Sequence, residues 1–125
     1  MLLYLIYMKW QTYKEGTLTP EKKVKVKVCK KLKEMGAYYF YASTGGYGAS
    51  GVPDIVACWK GIFLGIECKA NGNKPTALQQ KHLADIHFAG GVSMVIDETN
   101  VDELENIIRG AKNEYRDKRR KQPIS

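Results

Sequence analysis

Long apolar runs, paired cysteines and an acidic excess are all missing from this chain. The most apolar stretch, the opening MLLYLIYM, spans eight residues, far short of the roughly 20 that a membrane-spanning helix needs. It also lacks the basic n-region and small-residue cleavage site of a signal peptide. Three readings of it stay open: an added edge strand, a dimer contact, or an upstream extension with Met8 as the working start. Only three cysteines occur, Cys29, Cys58 and Cys68, without CxxC spacing. An odd set in apolar runs argues against a disulfide framework and leads us to expect reduced core thiols in a cytoplasmic protein. The two histidines, His82 and His87, fall five apart on a predicted helix and so on different faces, which argues against a shared metal site. Neither has a nucleophilic serine or cysteine near it in sequence. No Gly-Lys-Ser/Thr closes the loop GGYGASG, so a P-loop is excluded. Gly46, Gly48 and Gly51 do satisfy GxGxxG, but Val52-Pro53 and IVAC follow where a dinucleotide fold needs a helix.

What is present is 125 residues, enough for one domain with its own core, and a net charge of +7 from 20 basic against 13 acidic residues. That balance favours a polyanionic partner, with nucleic acid the leading candidate. Thr19-Pro20 can cap and open a helix through EKKVKVKVCKKLKEM that Gly36 ends, with Val24, Val28, Leu32 and Met35 at helical spacing. Glu21 would then stand at the N-terminal end of the buried face, where the helix dipole also favours an acid. AYYFYAS has the aromatic density of a strand, and core packing is expected of at least half its tyrosines. After the central segment come a helix over TALQQKHLADIHFAGG with Thr76 as N-cap and Gly90 or Gly91 closing it, a short buried strand VSMVID, and an amphipathic helix through Val101, Leu104, Ile107 and Ile108. Gln79, three residues after Thr76, completes a capping box. Beyond Gly110 six basic residues stand against two acidic ones, and with little to bury this tail is expected to be disordered. The organisation read from the sequence is a 1–19 extension, a domain over 20–110 and a basic tail over 111–125.

The segment Gly51–Lys69 organises the rest. GVPDIVACWKGIFLGIECK reads as two strands joined by a turn at Lys60-Gly61. Antiparallel pairing across that turn sets Asp54 opposite Glu67, and period-2 alternation puts Lys69 on the face of Glu67. Two like charges that close repel by about 4 kcal/mol at an effective dielectric near 20, so a counter-charge is required. A divalent cation can provide it, and a Glu67–Lys69 ion pair is the plainer alternative. Hydrolysis of a phosphodiester needs charge neutralised on the phosphate, a nucleophile formed near neutral pH and a stabilised leaving alkoxide. Carboxylates holding Mg²⁺ or Mn²⁺ contribute to all three. Asp54, Glu67 and the backbone carbonyl of Cys68 are the expected ligands, and Lys69 the residue that positions or deprotonates water or stabilises phosphate charge. Glu21, if its helix packs across this edge, adds an outer ligand or defines a second metal position.

The segments Ser-Gly-Val-Pro-Asp, Ile-Glu-Cys-Lys, TALQ and FAGG, in this order over about residues 20–97, resemble the VRR-NUC family of the PD-(D/E)XK nuclease superfamily. Pro53-Asp54 matches the PD, Glu67-Cys68-Lys69 the ExK, Gln79 the helix glutamine, and Glu21 the early acid. The resemblance implies an α/β, restriction-endonuclease-like αβββαβ core with a mixed central sheet flanked by helices. It also implies Mg²⁺- or Mn²⁺-dependent DNA endonuclease activity, with Asp54, Glu67, Lys69, Gln79 and Glu21 at the catalytic site. Short stand-alone members look like phage or bacterial proteins, several similar to homodimeric Holliday-junction resolvases. Branched DNA and a second copy are therefore the expected partners, with Tyr38, Tyr39 and Tyr41 and the glycine loop available to DNA. A general or helicase-associated nicking nuclease, and a non-catalytic basic DNA-binding module, are the alternatives.

Overall fold

A computed structural model describes residues 1–42 and 50–121, with the side chains of 10–17 outside the description. Most of the glycine loop therefore lies outside the described residues. The elements are α1 (Leu2–Thr17), α2 (Pro20–Glu34), β1 (Tyr38–Tyr41), β2 (Ile55–Trp59), β3 (Ile62–Cys68), α3 (Ala77–Phe88), β4 (Val92–Ile96), a 3-10 turn (Val101–Glu103) and α4 (Leu104–Lys121). From α2 to β4 this is the expected αβββαβ order.

The sheet is mixed, with strands in the order β1-β2-β3-β4: the first three are antiparallel, and β4 joins β3 in parallel after the α3 crossover. The β2–β3 register pairs Ile55 with Ile66 and Trp59 with Ile62, which is the pairing expected from a turn at Lys60-Gly61. Both turn residues have positive φ, 48° and 81°, the backbone of the tight hairpin turn whose twist matches the strands.

Alternation divides the sheet into two unlike faces. Ile55, Ala57 and Trp59 of β2 and Ile62, Leu64, Ile66 and Cys68 of β3 are buried on one face, in one core with Val24, Val28 and Leu32 of α2 and with Leu104 and Ile108 of α4. Phe63, Gly65 and Glu67 alternate onto the other face, where α3 lies. Thr19 caps α2 by accepting from Lys22 N at 3.3 Å, and Gly36, at φ 78°, ends it.

Four expectations are corrected. The opening segment is a helix, not an edge strand: its apolar residues run on without the alternation a half-buried strand requires, and a helix satisfies its own backbone groups without a sheet edge. The stretch after Gly110 is helical as far as Lys121, because Lys, Arg and Glu are good helix formers and cations suit a helix C-terminus. Cys58 is exposed rather than in the core. Of the tyrosines in β1 only Tyr39 packs against the core, while Tyr38 and Tyr41 are exposed, since β1 is an edge strand. Among the described residues no helix is long and apolar enough to cross a membrane.

Candidate active site

The site forms where β2 begins and β3 ends. Asp54 immediately precedes β2, its backbone carbonyl accepting from Ala42 N at 3.0 Å. Its Oδ2 accepts the backbone N–H of Cys68 at 2.8 Å, locking the carboxylate against the end of β3. The N–H and C=O of a strand residue point to the same side, so the Cys68 carbonyl lies on the side of Asp54.

Glu67 is 1% exposed, the one buried charged side chain among the described residues. Gln79 Nε2 donates to its Oε1 at 3.1 Å, and Lys69 Nζ stands 3.6 Å from the same oxygen. Its Oε2 is buried with no hydrogen-bond partner among the described residues. Burial, and then the adjacent Asp54 carboxylate, push the Glu67 carboxyl up to about 8, with Lys69 opposing. A protonated Glu67 is close enough to donate a hydrogen bond to Asp54. The two acids are thus side by side, as the hairpin register required, and in the protein alone they share a proton.

Gln79 does two things with one side chain. Its Oε1 accepts from Thr76 N at 2.9 Å and its backbone N–H donates to Thr76 Oγ1 at 3.2 Å, closing the capping box, while its Nε2 reaches Glu67. Gln79→Glu keeps an oxygen for the cap but sets an acceptor against Glu67. We expect it to destabilise the fold by about 1–3 kcal/mol at pH 8 and much less at pH 5, where a protonated carboxyl can donate. Chemical denaturation at the two pH values measures the difference; equal losses would mean that the cap alone matters.

Lys25, which sequence reasoning missed, reaches Asp54 from α2, with Nζ 3.3 Å from Oδ1. Its pKa is raised in balance: burial opposes the charge, but Asp54 and then Glu21 outweigh it. Nothing in the sequence marks Lys25 among the seven lysines between positions 22 and 33. Glu21 lies one helical turn before it and acts on it electrostatically but is not gathered with Asp54 and Glu67. Among the described residues no three of His, Cys, Asp and Glu are grouped to hold one ion. The expected outer acid is therefore replaced, beside Asp54, by a cation from the same helix. His82 binds the Ser50 carbonyl at 2.9 Å, a packing role.

With both acids ionised, three of the four carboxylate oxygens have a partner and the fourth, Glu67 Oε2, is buried without one; a proton held between the acids relieves this in the protein alone. Lys25 and Lys69 offset charge at Asp54 Oδ1 and Glu67 Oε1, so the ion-pair reading of this corner holds in part. Neither lysine serves Oε2, and a buried carboxylate oxygen left unpaired costs about 1–3 kcal/mol or more. Two adjacent acids with one unserved oxygen, beside a backbone carbonyl, form an all-oxygen donor set that fits a hard divalent cation.

The chain matches no protein-family model and no curated protein. A solved structure described as a VRR_NUC domain superposes with a TM-score of 0.61 at 21% identity, covering 71% of this chain and 97% of that one. The fold is thus the restriction-endonuclease-like α/β fold. Within that class it is the fold of the VRR_NUC domain.

Proposed function

We propose that this protein is a VRR-NUC nuclease, a Mg²⁺- or Mn²⁺-dependent DNA endonuclease with its active centre at Asp54, Glu67 and Lys69. The observation that carries the reading is the buried Glu67 carboxyl beside Asp54, whose Oε2 has no partner once both acids are ionised. Asp54, Glu67 and the Cys68 carbonyl would hold the ion, which when bound supplies Lewis acidity at the phosphate and a water acidic enough to ionise near neutral pH. Cys68 N–H fixes one oxygen of Asp54, and Gln79 fixes Glu67, so the two acids are oriented before any ligand arrives. The Lys69 ammonium stands at the same face of β3 to position water or offset charge on the phosphate. Branched DNA is the favoured substrate and a C2 homodimer the favoured state. A single compact site makes one cut, whereas symmetric cleavage of a four-way junction needs two.

Purified protein incubated with labelled four-way junction, flap and linear duplex should cut in Mg²⁺ or Mn²⁺ and not in EDTA, with the junction preferred and Asp54→Ala inactive by at least about 100-fold. Cleavage that persists in EDTA, or survives Asp54→Ala, would remove the metal mechanism. Equal rates on linear and branched DNA would leave a general nicking nuclease in its place.

A further inference from the structure

The stretch expected to be a solvated tail is the second half of α4, and it carries a basic face at the opposite end of the sheet from the carboxylates. At 3.6 residues per turn, Arg109, Lys112, Arg116, Arg119 and Arg120 fall within an arc of about 100°. Glu114 and Asp117 lie off that arc. The β2–β3 turn brings Lys60 to the same place, so that Lys60, Gly61, Lys112, Arg116 and Arg120 line one open groove. Buried Trp59 lies beneath its start, with Lys60, Arg109 and Lys112 at 5.5, 5.2 and 5.0 Å from its ring. These cations are thus gathered around one aromatic ring, whose π-electrons attract them.

Such crowding is costly in the protein alone. Lys112 is held below the usual lysine range, by local desolvation first and then by repulsion from Lys60, Arg116 and Arg109. Among the described residues no carboxylate pairs with Lys60, Lys112, Arg116 or Arg120; the ion pair on α4 joins Arg109 to Glu105. The helix dipole explains cations in the last turn. It does not explain Lys112 and Arg116, two and one turns earlier, or Lys60 on a hairpin. Contact with Trp59 accounts for Lys60 and Lys112, but no packing need holds Arg116 and Arg120, since Ile108 is the last buried residue of α4.

We propose that this stripe, Lys60 with Lys112, Arg116 and Arg120, is a second nucleic-acid contact that grips the phosphate backbone about 20 Å from the catalytic carboxylates. The distance is the length of β3 from Ile62 to Cys68 at about 3.3 Å per residue. On α4 the ladder sets a cation about every 6 Å along about 12 Å, which suits a polyanion with a charge about every 3.4 Å per strand. A lipid surface fits less well, because an interfacial helix needs apolar side chains to insert and this half of α4 exposes no large hydrophobic residue. A separation of about 20 Å matches the width of one duplex or about six base pairs along it, so the stripe holds phosphates away from the scissile bond. The inference takes from the proposed function only the class of partner.

The test compares two variants of the full chain with equal charge loss: Arg116→Gln/Arg120→Gln on the stripe, and Lys118→Gln/Lys121→Gln on the same helix but off it. DNA binding is followed by anisotropy in EDTA across 50–200 mM salt, with helicity checked by circular dichroism. The stripe variant should reduce the slope of log K against log salt by about 2, so that its deficit relative to wild type shrinks about tenfold over that range. The off-stripe variant should change the slope by less than 1. Lys60→Gln, far away in sequence, should reduce it by about 1. Equal slopes in the two double variants, no DNA binding by wild type, or a deficit seen only with polyglutamate or anionic vesicles would overturn the proposal. Loss of metal-dependent cleavage with the slope difference intact would remove the proposed function and leave the stripe standing.

Discussion

Glu67→Gln should make the metal-free protein more stable at pH 8 and abolish its stabilisation by Mn²⁺. The sign follows from the raised pKa of Glu67. Its neutral form contributes stability that is complete below the unfolded value near 4.5 and is lost as the pH rises through about 8. Over that window the unfolded chain ionises freely while the folded one keeps its proton, because ionising would bury a second negative charge against Asp54. A shift of that size corresponds to at most about 5 kcal/mol, and sharing of the proton with Asp54 reduces what is realised to about 1–3 kcal/mol. Glutamine keeps an oxygen for Gln79 Nε2 and places an amide beside Asp54, so the variant should melt about 4–10 °C higher than wild type at pH 8. At pH 4 the two should melt alike. With Mn²⁺ the order reverses: wild type gains stability at pH 8 by mass action and the variant does not. Calorimetric titration at pH 7 should also show about one proton released per Mn²⁺ bound by wild type. If both proteins gain equally from Mn²⁺, the ion sits elsewhere and Glu67 is a structural acid.

Gly65→Val should lower stability by about 1–3 kcal/mol and weaken Mn²⁺ binding at a residue that carries no polar group. Gly65 precedes Glu67 by two and shares its face of β3. A Cβ there would stand 2.5 Å from Ile86 Cδ1 and 3.3 Å from Pro53 Cγ. The methyl of alanine can be accommodated by turning the end of Ile86, so Gly65→Ala should cost about 1 kcal/mol or less. Valine leaves no such escape, and α3 must withdraw. Withdrawal lengthens the 3.1 Å bond from Gln79 to Glu67, which is how a packing change reaches the acids. Gly51 has the same relation to α3, with Leu78 Cγ 2.7 Å from a Cβ built there. The second-site change Ile86→Ala should restore much of the stability lost in Gly65→Val. A double variant as unstable as the single would show that β3, not the seat of α3, carries the damage.

Several features of this site were legible in order along the chain because they are set locally. A turn at Lys60-Gly61 and alternation on either side fix which residues face each other, so Asp54 and Glu67 meet by register alone. Thr76 and Gln79 form their capping box within four residues, and Thr19-Pro20 and Gly36 bound α2 in the same way.

Other features depend on how the elements pack. Gln79 could be read as a cap, but its second bond to Glu67 exists only because glycines on β3 and before β2 let α3 lie close. Glu21 was legible as an acid at the start of a buried face, yet Lys25, one turn further along the same side of α2, is the residue that meets Asp54. Spacing shows which residues share a side of a helix, but not which turn of it lies against a given strand end. The sequence by itself determined the hairpin and the opposed acids, since strand period and turn geometry act within a few residues. Only the tertiary structure decided that Glu67 Oε2 is buried without a partner, and that the basic residues of α4 meet Lys60 in one stripe. Both are properties of surfaces brought together from distant parts of the chain, where burial and rotation, rather than spacing, set what each side chain meets.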